Sequence, residues 1–189
     1  MSEFTQHRIN TAKKESIPAL KHAEKLFGFV PNLIAALAES PATVNAYLQL
    51  NSLFDSTSFT LTERQVIMLT ISRYADCQYC LAAHSTISKM LKVSDERVNA
   101  IIYGHPITEP RLEALRIFTH LVVEKQGKLA NWDLTNFYQA GYNKQQVLEV
   151  ILGVSFMTLS NYVNHINDTP VDMVFAAHKP EPQLTQLAA

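Results

Sequence analysis

The sequence predicts an all-α protein built as one compact multi-helix bundle, and three observations carry that prediction. Apolar residues recur at helical spacing along almost the whole chain. Glycine occurs only five times and β-branched runs are few, so little here suits the pleated surface of a sheet. Prolines and small polar residues stand where helices would begin. With 189 residues the chain can build one good core, since about 150 residues make a typical domain. Residues 1–189 are read as one domain of about eight or nine helices, with 1–15 and 179–189 as loose ends.

Pro31 and Pro41 open two helices, because the first helical turn has no use for the N–H that proline lacks. Thr60 or Thr62 starts the next, running to about Tyr74; Thr60-x-x-Glu63 and Thr62-x-x-Gln65 both fit a capping box. A helix carrying both cysteines begins at about Asp76, read as its N-cap, and runs to Lys92. Ser94 caps a short helix that Gly104 ends. The loop from His105 to Pro110 leads into the amphipathic stretch from Leu112 to Lys125, and Trp132 to Ala140 forms another short helix followed by Gly141. Asn143 with Gln146 caps the last long helix, which reaches about Asn164. Val147, Leu148, Ile151, Phe156, Leu159, Tyr162 and Ile166 make it apolar nearly all round, so it needs cover on every side, in a core or a subunit interface. Ser155, Thr158, Ser160, Asn161 and Asn164 interrupt it too often for a membrane span.

A net charge of −1, with no long run of one sign, offers neither a nucleic-acid footprint nor a polybasic membrane surface. The polar start Met1-Ser2-Glu3-Phe4-Thr5-Gln6 has no apolar secretory segment, which points to the cytoplasm. A reducing cytosol disfavours a permanent disulfide, so a paired cysteine motif there is redox-active or metal-binding.

Both cysteines and one histidine fall in Cys77-Gln78-Tyr79-Cys80-Leu81-Ala82-Ala83-His84. Two randomly placed cysteines would fall three apart only about 1% of the time, so the spacing reads as a motif. At about 100° per residue Cys77 and His84 share one azimuth, with Cys80 about 60° away. A free thiol with its pKa of ~8.5 is mostly protonated at neutral pH, and the first turn of a helix is where a thiolate is favoured. Cys80 and His84 form the i, i+4 pair, which makes Cys80 the nucleophile, Cys77 the resolving thiol and His84 the proton acceptor. Attack on a hydroperoxide gives a sulfenic acid that the second thiol converts to a disulfide, and an external thiol or dithiol must reopen it.

Other readings compete with this one. The cysteines could be inert buried thiols. Zinc could be held by Cys77, Cys80 and His84, with a fourth ligand from His105, His120 or His165, although no second motif at finger-like spacing follows. Attachment of a c-type haem needs histidine directly after the second cysteine, where Leu81 stands. Asn161, Asn164 and His165 read first as a hydrogen-bonded helix end and second as pocket lining.

The run Leu61-Thr62-Glu63-Arg64-Gln65 through Arg73, followed by Cys77-Gln78-Tyr79-Cys80-Leu81-Ala82-Ala83-His84-Ser85, closely resembles the alkylhydroperoxidase-like (AhpD-like) branch of the carboxymuconolactone decarboxylase family. Pro110 to Leu115, Ala140-Gly141-Tyr142 and Leu159 to His165 are similar to its peroxidase-related members. The resemblance implies an all-α AhpD-like bundle, a homo-oligomer, and peroxidase or disulfide-reductase activity with the second cysteine attacking. It also suggests a dithiol reductant, a lipoyl-bearing protein being one candidate; the redox reading of the motif calls for no cofactor and no metal. The family's name-giving decarboxylases lack the cysteine pair. In the resembled family a glutamate twelve residues before the first cysteine relays protons; Gln65 stands there and cannot. Glu63 is the nearest replacement, yet it lies about 160° round the helix from Gln65. The expected function is thiol-dependent reduction of hydroperoxides through Cys77, Cys80 and His84, with Glu63 as the remaining relay candidate. The alternative is a metal-binding or catalytically weak structural oligomer of the same fold.

Overall fold

A computed structural model describes residues 3–179. Among the described residues there are ten α-helices and no strand: α1 (Ile17–Phe27), α2 (Asn32–Leu37), α3 (Pro41–Asp55), α4 (Leu61–Tyr74), α5 (Gln78–Met90), α6 (Asp95–Tyr103), α7 (Pro110–Glu124), α8 (Asn131–Gln139), α9 (Lys144–Asn167) and α10 (Met173–Ala176).

The helix starts follow local chemistry. Ser40 Oγ and Ser94 Oγ accept the backbone N–H groups of Thr43 and Arg97. Asn143 and Gln146 cap each other reciprocally at 3.0 and 3.1 Å. At α4 the cap is Thr60 rather than Thr62: its hydroxyl accepts the Glu63 N–H while the Glu63 carboxylate accepts the Thr60 N–H. Gly104 ends α6 in the left-handed conformation, as its position predicts.

α4 is the hub, packing against α5, α6, α7 and α9. Val66, Ile67, Met68, Leu69 and Ile71 are buried on it, and its Thr70 and Ser72 hydroxyls donate to carbonyls one turn back, so no polar atom there is stranded. α9 crosses this hub and also packs on α2 and α3. The crossing is tight: a Cβ on Gly153 would lie 2.8 Å from Phe54 Cε2 and 3.0 Å from Ile67 Cγ2.

Three expectations change. Full cover of α9 fails within one chain: Leu148, Ile151, Tyr162 and Ile166 are 68, 45, 62 and 64% exposed, because only the face carrying Val150, Gly153, Met157 and Ser160 turns inward. By length and composition α9 is the one helix among the described residues able to cross a membrane, yet one face of it packs into the core against α2, α3 and α4. The N-terminal segment expected to be loose is tied down. Phe4 N–H donates to Asn167 Oδ1 at 2.7 Å, and His7 reaches the Ala35 carbonyl through its N–H and Glu39 through its ring at 2.8 Å. The short α10 gave no periodic signal in the sequence. The other expected loose end, 179–189, lies outside the described residues except for Lys179.

Candidate active site

The chain turns sharply between α4 and α5, and that turn sets the cysteines. Asp76 sits at φ 53°, in the left-handed region that aspartate tolerates better than most residues, and Cys77 N–H donates back to the Ser72 carbonyl. Asp76 is therefore not the N-cap of α5, as its place before the motif had predicted. Cys77 is: its backbone is extended, and Cys80 N–H donates to its Sγ at 3.3 Å. Cys77 thus lies outside the helix rather than on one stripe with His84. The sulfurs still meet, because an N-cap side chain reaches back over the residue three positions on.

α9 supplies the other wall of the thiol site. Asn164 Nδ2 donates to Cys80 Sγ at 3.3 Å and to Cys77 Sγ at 3.8 Å. Ser160, one turn earlier, spends its hydroxyl proton on the Met157 carbonyl and accepts from the Cys80 thiol at 3.9 Å. A cavity of about 340 Å³ opens on Cys80, with Tyr47, Gln65, Tyr79, His84 and Phe175 among its walls. Cys77 is not among them. Tyr79 is fixed by donating to Asp172 Oδ2 at 2.6 Å and accepting Leu33 N–H, and Asp172 also takes the Asn32 N–H.

Electrostatics separate the two sulfurs. Hydrogen bonding from Cys80, side chain and then backbone, together with Asn164, lowers the Cys77 thiol below its ordinary value against the opposing effect of burial. Burial first, and then the neighbouring Cys77 sulfur, push the Cys80 thiol up. Of the two sulfurs, Cys77 is therefore the one that gives up its proton first. Burial lowers His84 to about 4, so its ring is neutral at pH 7; its Nδ1 has no hydrogen-bond partner among the described residues, and none of the hydrogen bonds among those residues joins it to Cys80.

Glu63 is not at this site. It is 5% exposed and its carboxylate accepts the Thr60 N–H and hydroxyl at 2.9 Å, the Tyr142 hydroxyl at 3.0 Å, and Arg111 at 3.4 Å. Burial acts to raise its pKa, but those partners outweigh it and hold the carboxyl below its usual range. It serves the helix cap and the contact with α7, outside the cavity. Gln65 does face the cavity, where its Oε1 accepts the Ser88 hydroxyl. The suggested zinc ligands do not converge: no group of three or more His, Cys, Asp and Glu side chains is placed to hold a metal among the described residues. Sequence reasoning passed over Ser160, Asp172 and Phe175. Ser160 and Asn164 did carry a signal, two polar residues one turn apart on an otherwise apolar face.

Residues 39–105 match the model of the carboxymuconolactone decarboxylase family. No curated protein matches the chain in sequence. Among solved structures, the alkylhydroperoxidase AhpD core of an uncharacterized peroxidase-related protein from Ralstonia eutropha JMP134 superposes with a TM-score of 0.84 at 19% identity, covering 96% of this chain and 98% of that one. A peroxidase-related protein from Silicibacter sp. TM1040 gives 0.76 at 18% identity, over 95% and 96%. The debrominase Bmp8, also crystallised as its C82A variant with 2,3,4-tribromopyrrole, gives 0.79 at 18% identity, over 94% and 96%. At these identities the shared property is the fold.

Proposed function

We propose that this AhpD-like member of the carboxymuconolactone decarboxylase family is a cytoplasmic, homo-oligomeric thiol peroxidase that reduces hydroperoxides through Cys80, Cys77 and His84. One observation carries the reading: Cys80 faces the cavity while the Cys77 sulfur, in hydrogen-bond contact with the Cys80 N–H, stands outside the cavity wall.

Cys80 passes its proton to the Cys77 thiolate, and the Cys80 sulfur attacks the distal peroxide oxygen. The O–O bond breaks, Cys80 becomes a sulfenic acid, and the leaving alkoxide takes a proton from solvent through His84, whose neutral ring lines the same cavity. Cys77 attacks the Cys80 sulfur; the S–O bond breaks, the leaving hydroxide takes up the Cys77 proton to become water, and the disulfide holds the two-electron oxidation. A dithiol returns the pair to its reduced state by exchange, and a lipoyl-bearing protein is the candidate donor. Cavity size suits an organic hydroperoxide, being within the usual range of about 300–1,000 Å³ for small-molecule sites. The bare apolar face of α9 supports the homo-oligomer.

The test is a count of free thiols before and after one equivalent of cumene hydroperoxide. The wild type should lose two, Cys80→Ser none at a comparable rate, and Cys77→Ser should hold a sulfenic acid that dimedone traps. An unchanged thiol count in the wild type overturns the reading.

A second reading draws on the aromatic walls Tyr47, Tyr79 and Phe175 around Cys80 and on the debrominase neighbour. The same dithiol can remove halogen from a substituted aromatic ring: the Cys80 sulfur takes the halogen, the ring carbon takes a proton, and Cys77 expels halide as the disulfide closes. Release of bromide from a brominated pyrrole, without loss of thiols to hydroperoxide, would favour it.

A further inference from the structure

Asn164 is the one side chain from outside α5, among the described residues, whose N–H reaches both sulfurs. Its carboxamide is buried, at 5% exposure, and its Oδ1 has no hydrogen-bond partner among the described residues. An amide kept to satisfy the end of α9 would use its acceptor; this one leaves that atom bare, a costly arrangement, and aims its donor at sulfur. The donor is also nearer the sulfur that faces the cavity, 3.3 Å from Cys80 against 3.8 Å from Cys77. A negative charge on Cys77 has the Cys80 N–H and the start of α5 to support it. Once the charge moves to Cys80, Ser160 gives no help in this arrangement, because its hydroxyl proton is engaged by the Met157 carbonyl. Asn164 Nδ2 is the N–H group already in place there. Donors fixed where charge will appear, rather than where it rests, stabilise the attacking state selectively.

We propose that Asn164 is a catalytic hydrogen-bond donor that stabilises negative charge on the sulfur pair, above all on Cys80 as it meets substrate. The proposal rests on reading the pair as a redox-active dithiol. The ionisable groups that share the cavity with Cys80 are Tyr47 and Asp55 from α3, Arg64 from α4, and Tyr79 and His84 from α5; α9 contributes only the non-ionisable Ser160 beside Asn164. Burial keeps His84 neutral above about 4 and holds both tyrosines protonated beyond their ordinary range.

The experiment follows the rate of Cys80 alkylation by iodoacetamide against pH, with the site assigned by mass spectrometry, in the wild type, Asn164→Asp and Asn164→Leu. Asp keeps the shape and replaces the donor by an anion; Leu removes the donor. Both variants should slow alkylation at pH 7 by about tenfold and move the midpoint of the profile up by about one pH unit, the size expected for losing one hydrogen bond to a charged acceptor. The wild type supplies a readout that needs no variant: the Asn164 side-chain NH₂ resonances should shift with pH at the same midpoint as Cys80 alkylation. Unchanged profiles in folded variants, or NH₂ resonances flat through that midpoint, overturn the proposal. A wild type that consumes no hydroperoxide while these shifts appear would refute the peroxidase reading and support the donor role.

Discussion

Cys77 caps the helix on which Cys80 rides: the Cys80 N–H donates to Cys77 Sγ at 3.3 Å. A capping box reaches from the N-cap to the third helical residue, and the two cysteines have that same separation. The pairing of the sulfurs is thus a helix-capping geometry, and it places a backbone N–H on the Cys77 sulfur.

The first prediction concerns that order of ionisation. Cys80→Ser keeps the backbone N–H and, in the serine hydroxyl, a side-chain donor to Cys77, so its single thiol should titrate below the ordinary thiol value; the single thiol of Cys77→Ser, dominated by burial, should titrate above it. Thiolate absorbance at 240 nm against pH measures both, and equal or reversed midpoints would contradict the assignment.

Glu63 separates structure from chemistry. Glu63→Gln removes the charge that Arg111 and the Tyr142 hydroxyl address. It should cost on the order of 1–3 kcal/mol of stability, as expected for a disturbed buried ionic contact. The rate and pH dependence of hydroperoxide-driven thiol loss should not change. Thermal unfolding and thiol titration check the two halves, and a selective loss of turnover would restore Glu63 to the proton path.

This contrast shows what the sequence made legible. The helices, the Thr60, Ser94 and Asn143 caps and the meeting of Cys77 with Cys80 follow from local rules that act within one turn. Asp76 defeated them, because its left-handed turn is set by the tight passage from α4 to α5 rather than by residue type. Asn164 reaches its partners across 84 and 87 residues of chain, a relationship that no spacing encodes. The burial of Glu63 against α7 is tertiary in the same way.

His84 should leave a mark on acid stability. Its folded value is lowered from 6.5 to about 4, so the folded state binds its proton later than the unfolded chain does. Its contribution is present above about 6.5 and is lost as pH falls toward about 4, by on the order of 3 kcal/mol. Denaturant melts of the wild type and His84→Gln across that window should show the steeper decline in the wild type. Parallel declines would place His84 in a more hydrated setting.

The uncovered face of α9 predicts self-association. The wild type should sediment as an oligomer, and Ile151→Glu combined with Tyr162→Glu, both exposed in the single chain, should release monomer of unchanged helicity. Equal sedimentation of the two would assign that face another role.

The most direct test of the central claim locates the first oxidised sulfur. After a millisecond pulse of cumene hydroperoxide quenched into dimedone, peptide mass spectrometry should find the adduct on Cys80 in Cys77→Ser, and an intrachain link between Cys77 and Cys80 in the wild type. An adduct forming as fast on Cys77 in Cys80→Ser would contradict the account, because the sulfur outside the cavity would then be the one that meets the peroxide.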